Sequence, residues 1–185
     1  MALTESTMLE LGTLAPDFSL TDVVSGKTVS RDQFRNNKGL LVLFICVHCP
    51  YVKHIEKSLG ELAAHYADQP LAIVAISAND VATNPADSPE GMKTQAAANG
   101  FTFPYLYDET QQVAKAYKAA CTPDIYLFDD ELKLVYRGEY DSSRPGNGIP
   151  VSGEDLRFSI DLLLADKPIP ADQRPSIGCN IKWKA

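Results

Sequence analysis

Hydrophobic and polar positions along the 185-residue chain switch between two periods, one strand-like and one helix-like, and this alternation predicts an α/β fold. Residues 40–45, Leu-Leu-Val-Leu-Phe-Ile, are apolar without interruption, as a central strand covered on both faces requires. In residues 50–68 that follow, Val52, Ile55, Leu59, Leu62, Ala63 and Tyr66 fall on one stripe at helical spacing. Lys53, Glu56, Lys57 and Glu61 fall on the other side, so the segment is predicted as an amphipathic helix. Residues 71–77 read as a second buried strand. Upstream, residues 18–21 and 28–29 flank Ser25-Gly26 and predict a small hairpin. Residues 79–88 are rich in Asp, Asn and Pro and are predicted as a loop. Ser88-Pro89-Glu90 then reads as an N-cap with proline at the first helical position, opening a helix that ends near Gly100. A short strand at 101–106, a helix at 109–119 and two strands at 124–128 and 133–137, joined across Asp129-Asp130-Glu131, continue the pattern. Residues 141–152, with Pro145, Gly146, Gly148 and Pro150, predict a surface loop before a last helix at 154–165.

No internal repeat, low-complexity tract or interdomain linker interrupts this order. Residues 1–185 are therefore read as one domain, with the proline-rich tail 168–185 expected to pack back on it. The formal charge of −7, from 17 basic and 24 acidic residues, argues against nucleic acid or an anionic membrane surface as the main partner, because both need a positive footprint. The longest apolar stretch, 40–47, is far too short to cross a bilayer, and residues 1–14 carry Glu5 and Glu10 with no Lys or Arg. A cytoplasmic location is the expectation. There the four cysteines are mostly reduced, so they read as catalytic or metal-binding rather than as a structural disulfide framework.

The segment Phe44-Ile45-Cys46-Val47-His48-Cys49-Pro50 places two cysteines where a buried strand hands over to an amphipathic helix. A sulfur at a helix N-terminus meets unpaired N–H groups and the positive end of the helix dipole, and both stabilise a thiolate. Thiolate is the nucleophile of disulfide exchange. A second cysteine three residues away can close a disulfide with it, giving a reversible two-electron couple. Pro50 sets the register. Proline is favoured at the first helical position and costs about 3 kcal/mol in a helix interior, so Cys49 becomes the N-cap and Cys46 the end of the strand. Cys49 is thus expected to be the activated thiol and Cys46 the resolving one. His48, inside the pair, is a candidate to lower the Cys49 pKa as an imidazolium. His54 falls opposite the apolar stripe and is expected in solvent; Arg137 and Arg144 are expected in surface ion pairs.

With these motifs in view, the chain resembles the thioredoxin-like superfamily, and more closely the peroxiredoxin-like, AhpC/TSA-related redoxins that carry a CxxC motif. Ala15-Pro16-Asp17-Phe18-Ser19-Leu20 is similar to the first strand of redoxins and peroxiredoxins. Cys49-Pro50 is similar to the peroxidatic Cys-Pro of peroxiredoxins. Thr122-Pro123, ahead of the strand at 124–128, resembles the cis-proline that faces the active cysteine of thioredoxins, and Ser176-Ile177-Gly178-Cys179-Asn180-Ile181-Lys182-Trp183 resembles the tail of this subgroup. The resemblance implies a thioredoxin-like fold, a mixed central sheet flanked by helices with an N-terminal β-hairpin extension. It also implies a site made of Cys49, Cys46, His48, Pro50, Thr122 and Pro123. Through the cis-proline it brings Cys121 near the dithiol, and Cys179 can return to it from the tail, so these two are candidate accessory redox thiols beside the alternative that each is a small packed side chain. Two departures from peroxiredoxins stand out. Cys46 occupies the position of their active-site Thr, and Cys121-Thr122-Pro123 has no Arg where they place one to polarise peroxide.

Three functional readings follow. The first is a thiol–disulfide oxidoreductase acting on a protein or small-molecule disulfide or thiol, served by a reducing partner such as a thioredoxin or glutathione system. The second is a thiol peroxidase, an antioxidant enzyme with Cys49 oxidised to a sulfenic acid and resolved by Cys46. The third is of another class, a metal-binding module using Cys46 and Cys49 with His54 or Cys179, although one CxxC supplies only two of the four ligands that a structural zinc site takes. The first is preferred, with no cofactor and no metal expected.

Overall fold

The computed structural model describes residues 3–185. In chain order the elements are β1 (Leu3–Glu5), β2 (Ser19–Asp22), β3 (Thr28–Ser30), β4 (Gly39–Phe44), α1 (Pro50–His65), β5 (Leu71–Ser77), α2 (Pro89–Asn99), β6 (Tyr105–Tyr107), α3 (Gln112–Ala116), β7 (Cys121–Thr122), β8 (Asp124–Asp129), β9 (Leu134–Arg137), α4 (Glu154–Leu164) and β10 (Ile177–Asn180). Seven strands form one mixed sheet in the order β3-β2-β6-β5-β4-β8-β9. β4 and β5 lie parallel at its centre, and β8 runs antiparallel to β4 from Phe44↔Asp124 to Gly39↔Asp129. The hairpin β2–β3 forms one edge of the sheet and joins it through β6.

The unbroken apolar runs of β4 and β5 find cover on both faces. Leu41, Leu43, Ile73 and Ala75 pack on one side with Val52, Ile55, Leu59 and Leu62 of α1, and with Leu156 and Ile160 of α4. Leu40, Val42, Phe44, Val74 and Ile76 pack on the other with Tyr117, Tyr126 and Phe128. Each such fully buried side chain contributes about 1.5–3 kcal/mol, so the two layers hold β4, and the residues at its C-terminal end, rigidly in place. α1 and α2 approach so closely that a Cβ on Gly60 would lie 1.9 Å from the Asn99 carbonyl oxygen.

Several elements differ from the sequence-based expectation. The helix expected at 109–119 shortens to α3, because Gln111 and Lys118 both take left-handed backbone conformations, at φ 64° and 52°. The strand expected at 101–106 begins only at Tyr105, and α1 ends at His65, three residues before Asp68. A second, three-stranded sheet, β1-β10-β7, has no counterpart in the apolar pattern. Its middle strand is β10, paired antiparallel with β1 through Leu3↔Cys179 and with β7 through Cys179↔Thr122 and Asn180↔Cys121. This small sheet lays the C-terminal tail across the N-terminal end of α1. No helix among the described residues is long and apolar enough to cross a membrane.

Candidate active site

β4 ends at Phe44, and α1 starts at Pro50 with Cys49 as its N-cap, in extended conformation at φ −67° and ψ 125°. Cys46 lies in the connection between them. The Thr122–Pro123 peptide bond is cis, and Thr122 touches both sulfurs. Its Oγ1 lies 3.3 Å from Cys46 Sγ, and its carbonyl oxygen lies 3.2 Å from Cys49 Sγ, accepting from it only while that sulfur is protonated. Cys46, Cys49, Cys121, Thr122 and Cys179 are all buried, and no disulfide links any of the four cysteines.

Hydrogen bonds converge on the Cys49 sulfur. The Cys46 thiol is the strongest influence holding the Cys49 pKa well below the usual thiol range. The thiol and N–H of Cys179 and the N–H of Val52 act in the same direction, against the opposing effect of burial. Val52 is the third residue of α1, so its N–H is one of those left unpaired at the helix start. Cys46 moves the opposite way: its hydrogen bond to Cys49, its burial and the negative charge of Asp87 all push its pKa up. Burial foremost, and then the contact with Cys49, push Cys179 up to about 12. One sulfur is thus poised as thiolate and its neighbours as thiols, which is the division of labour that a nucleophile and its partners in exchange require.

A polar network supports the Cys46 end. The Asp87 carboxylate accepts from the backbone N–H of Val47 (2.8 Å) and of His48 (3.0 Å) through Oδ1. Its Oδ2 accepts from Asn79 Nδ2 (2.8 Å) and lies 2.6 Å from His48 Nδ1. The His48 ring therefore lies against Asp87 and, at 4.0 Å, against Cys46 Sγ. Its electrostatic neighbours are this carboxylate and Cys46. Gln95 Nε2 donates to the Cys46 carbonyl oxygen at 3.1 Å and to Glu56 at 2.8 Å, while its Oε1 accepts from Tyr105 at 2.9 Å.

Cys49, Cys46, His48, Pro50, Thr122, Pro123 and Cys179 are all gathered at this one place. Cys121 sits on the same short strand as Thr122, with its thiol turned to the carbonyl oxygens of Pro123 (3.5 Å) and Ser176 (4.0 Å). His54 stands apart and half-buried, 3.1 Å from Ser143 Oγ, rather than in solvent. Arg144 pairs with the buried Glu139 rather than at the surface, and among the described residues Arg137 forms no ion pair: it donates to the Leu9 carbonyl oxygen and to Gln173. Asp87, Asn79 and Gln95 carried no signal in the sequence, since a polar loop and a helix face account for such residues equally well. Cys46, His48 and Asp87 hold donor atoms within 4.8 Å of one another, a spacing compatible with a metal ion, but the four contacts at Asp87 already occupy its oxygens. A cavity of about 300 Å³ lined by Phe158, Gln173 and Arg174 contains none of these groups.

A mixed sheet that presents a cysteine at the N-terminus of a helix, opposite a cis-proline, defines the thioredoxin-like class of oxidoreductases. The chain belongs to the AhpC/TSA family, whose model matches residues 11–137. It is 31% identical to the thiol-disulfide oxidoreductase ResA of Geobacillus kaustophilus over 137 residues, 73% of this chain and 74% of that protein. Among solved structures it is 53% identical to an uncharacterized conserved protein from Geobacillus kaustophilus, with a TM-score of 0.97 over 100% of this chain and 97% of that one. The thioredoxin domain of a thiol-disulfide oxidoreductase from Bacteroides vulgatus shares the fold, at TM-score 0.66 and 21% identity over 84% of this chain and 99% of that one.

Proposed function

We propose that the chain catalyses thiol–disulfide exchange through Cys46 and Cys49, with Cys49 as the nucleophile and Cys46 as the resolving thiol. The observation that carries this reading is the set of donors around Cys49, which favours its thiolate, beside a Cys46 thiol kept protonated. Cys49 attacks one sulfur of a substrate disulfide; the other leaves as a thiolate and takes up a proton. Cys46 then gives up its proton and attacks Cys49 Sγ, releasing the second substrate thiol and leaving a Cys46–Cys49 disulfide. Two thiols of the enzyme are oxidised and one disulfide is reduced. Thr122 positions both sulfurs, and Asp87 holds the loop that carries Cys46 through two backbone N–H groups. A second dithiol, on a protein or small-molecule reductant, restores the reduced pair.

The test is reduction of a model disulfide by cysteine variants. Cys49→Ser is expected to lose turnover. Cys46→Ser, combined with Cys179→Ser, is expected to stall with substrate attached to Cys49. Full reductase activity in both variants overturns the reading. Rapid reaction of Cys49 with hydrogen peroxide, faster than that of an ordinary thiol, would favour the peroxidase reading instead.

A further inference from the structure

The strand β10 lies where an incoming extended chain would pair with the edge next to the nucleophile. It runs antiparallel to β7, with Cys179 opposite Thr122, the residue ahead of the cis-proline. Adding a strand to such an edge is a general way for a protein to hold an extended peptide: backbone hydrogen bonds give the register, and the register decides which side chain meets the site. Here the side chain delivered is Cys179, whose thiol and N–H both bond to Cys49. The fit is close. A Cβ on Gly178 would stand 2.0 Å from the Thr122 carbonyl oxygen and 3.2 Å from Pro123 Cδ, so no side chain fits where the tail crosses the cis-proline.

The seat is also built to hold. Ser176 Oγ donates to the Pro123 carbonyl oxygen at 2.6 Å, Ile181 N to the Ala120 carbonyl oxygen at 3.0 Å, and Lys182 N to Asn79 Oδ1 at 2.8 Å. Gln111 adds a donor to Lys182 O and an acceptor for Lys184 N, both at 2.9 Å. Of the three sulfurs in contact, Cys46 and Cys49 belong to residues with 0% exposure, whereas Cys179 retains 4%.

We propose that Cys179 is an internal disulfide partner of Cys49, carried by a tail strand that occupies the place of an extended disulfide substrate. This rests on the reading of Cys49 as nucleophile and Cys46 as its partner. Once the Cys46–Cys49 disulfide exists, Cys179 loses its proton and attacks Cys49 Sγ. The Cys49–Cys179 bond forms, the Cys46–Cys49 bond breaks, and Cys46 leaves as a thiolate that takes up a proton. No electrons enter or leave, so the step needs no further reagent. Its consequence is to move the oxidised bond from the pair Cys46 and Cys49, on the strand-to-helix connection, to one that joins the connection to the tail strand.

The experiment oxidises the full chain with diamide, which removes two hydrogens from a pair of thiols. Remaining thiols are then alkylated, and disulfide-linked peptides are mapped by mass spectrometry in wild type, Cys46→Ser and Cys179→Ser. Expected are both the Cys46–Cys49 and the Cys49–Cys179 peptides in wild type, near-complete Cys49–Cys179 linkage in Cys46→Ser, and Cys46–Cys49 alone in Cys179→Ser. Wild type held in glutathione buffers of graded ratio gives the two linkages independently of any substitution. A Cys46–Cys49 linkage in wild type, with Cys179 fully alkylated there and in oxidised Cys46→Ser, overturns the Cys179 assignment and leaves the dithiol standing. Absence of any linkage at Cys49 in wild type overturns both.

Discussion

Cys46 and Cys49 are both buried, with β10 lying across the cap of α1, and Gly178→Ala should make Cys49 easier to reach by loosening β10. A Cβ at this position would sit 2.0 Å from the Thr122 carbonyl oxygen and 2.7 Å from its carbon. A close carbon–oxygen contact between strands is about 3.3 Å, so β10 must retreat by roughly 1.3 Å, enough to stretch its short pairing with β7. Overpacking of this kind costs about 1–3 kcal/mol, here charged to the closed position of β10 and not to the rest of the sheet. A penalty on the closed state raises the open population by the matching Boltzmann factor, about 5- to 150-fold. The assay is native-state alkylation of Cys49 with iodoacetamide, followed by peptide mass spectrometry, under conditions where reclosing outruns chemistry so that the rate tracks the open population. Hydrogen exchange of β5 amides serves as the control for global loosening. An alkylation rate equal to that of wild type in a folded Gly178→Ala chain would show that β10 does not gate Cys49.

Asp124 gives a pH prediction with a definite sign. Burial lifts its carboxyl from 3.8 to about 7, so between those values the folded chain retains a proton that the unfolded chain has released, and stability falls as pH rises through this window. Relative to wild type, Asp124→Asn should therefore gain up to about 4 kcal/mol between pH 4 and pH 8 in denaturant titrations; a constant difference contradicts the assignment. Asp87→Asn must keep its oxygen on the Val47 and His48 N–H groups, which turns its amide nitrogen toward the Asn79 amide donor. A loss of about 2–4 kcal/mol is expected in urea unfolding, and a near-neutral variant would contradict the network. Gly60→Ala puts a methyl 1.9 Å from the Asn99 carbonyl oxygen and should cost about 1–3 kcal/mol by thermal unfolding, where an ordinary exposed helix position would gain from alanine.

What could be read from the sequence was local. Pro50 opens a helix because its ring suits the first turn and no later one, and that single restriction places Cys49 at the cap. The apolar runs of β4 and β5 announced strands covered on both faces, because a half-exposed strand alternates. The cis bond at Pro123 was legible only through resemblance, since most X–Pro bonds are trans. The remainder depends on contacts between distant segments. Asp87 meets His48 across 39 positions of chain, and nothing in a polar loop marks which carboxylate will fold inward. α3 is short because Gln111 adopts a left-handed conformation that a helix-forming composition does not forecast. β1, β7 and β10 run to three, two and four residues, too few for any period to show, so the sheet that covers the site was invisible before the chain was folded.

Asn79 ties these distant parts together, holding Asp87 with its amide nitrogen and the Lys182 backbone with its oxygen. Asp87 in turn grips the loop that bears Cys46. The loop bearing Cys46 and the tail at Lys182 therefore share one side chain, and a thermodynamic coupling carried by that side chain would act by the same factor in each direction. A tag or fusion grafted after Ala185 that strains the seating of this tail should shift the midpoint potential, whereas one that leaves it undisturbed should not.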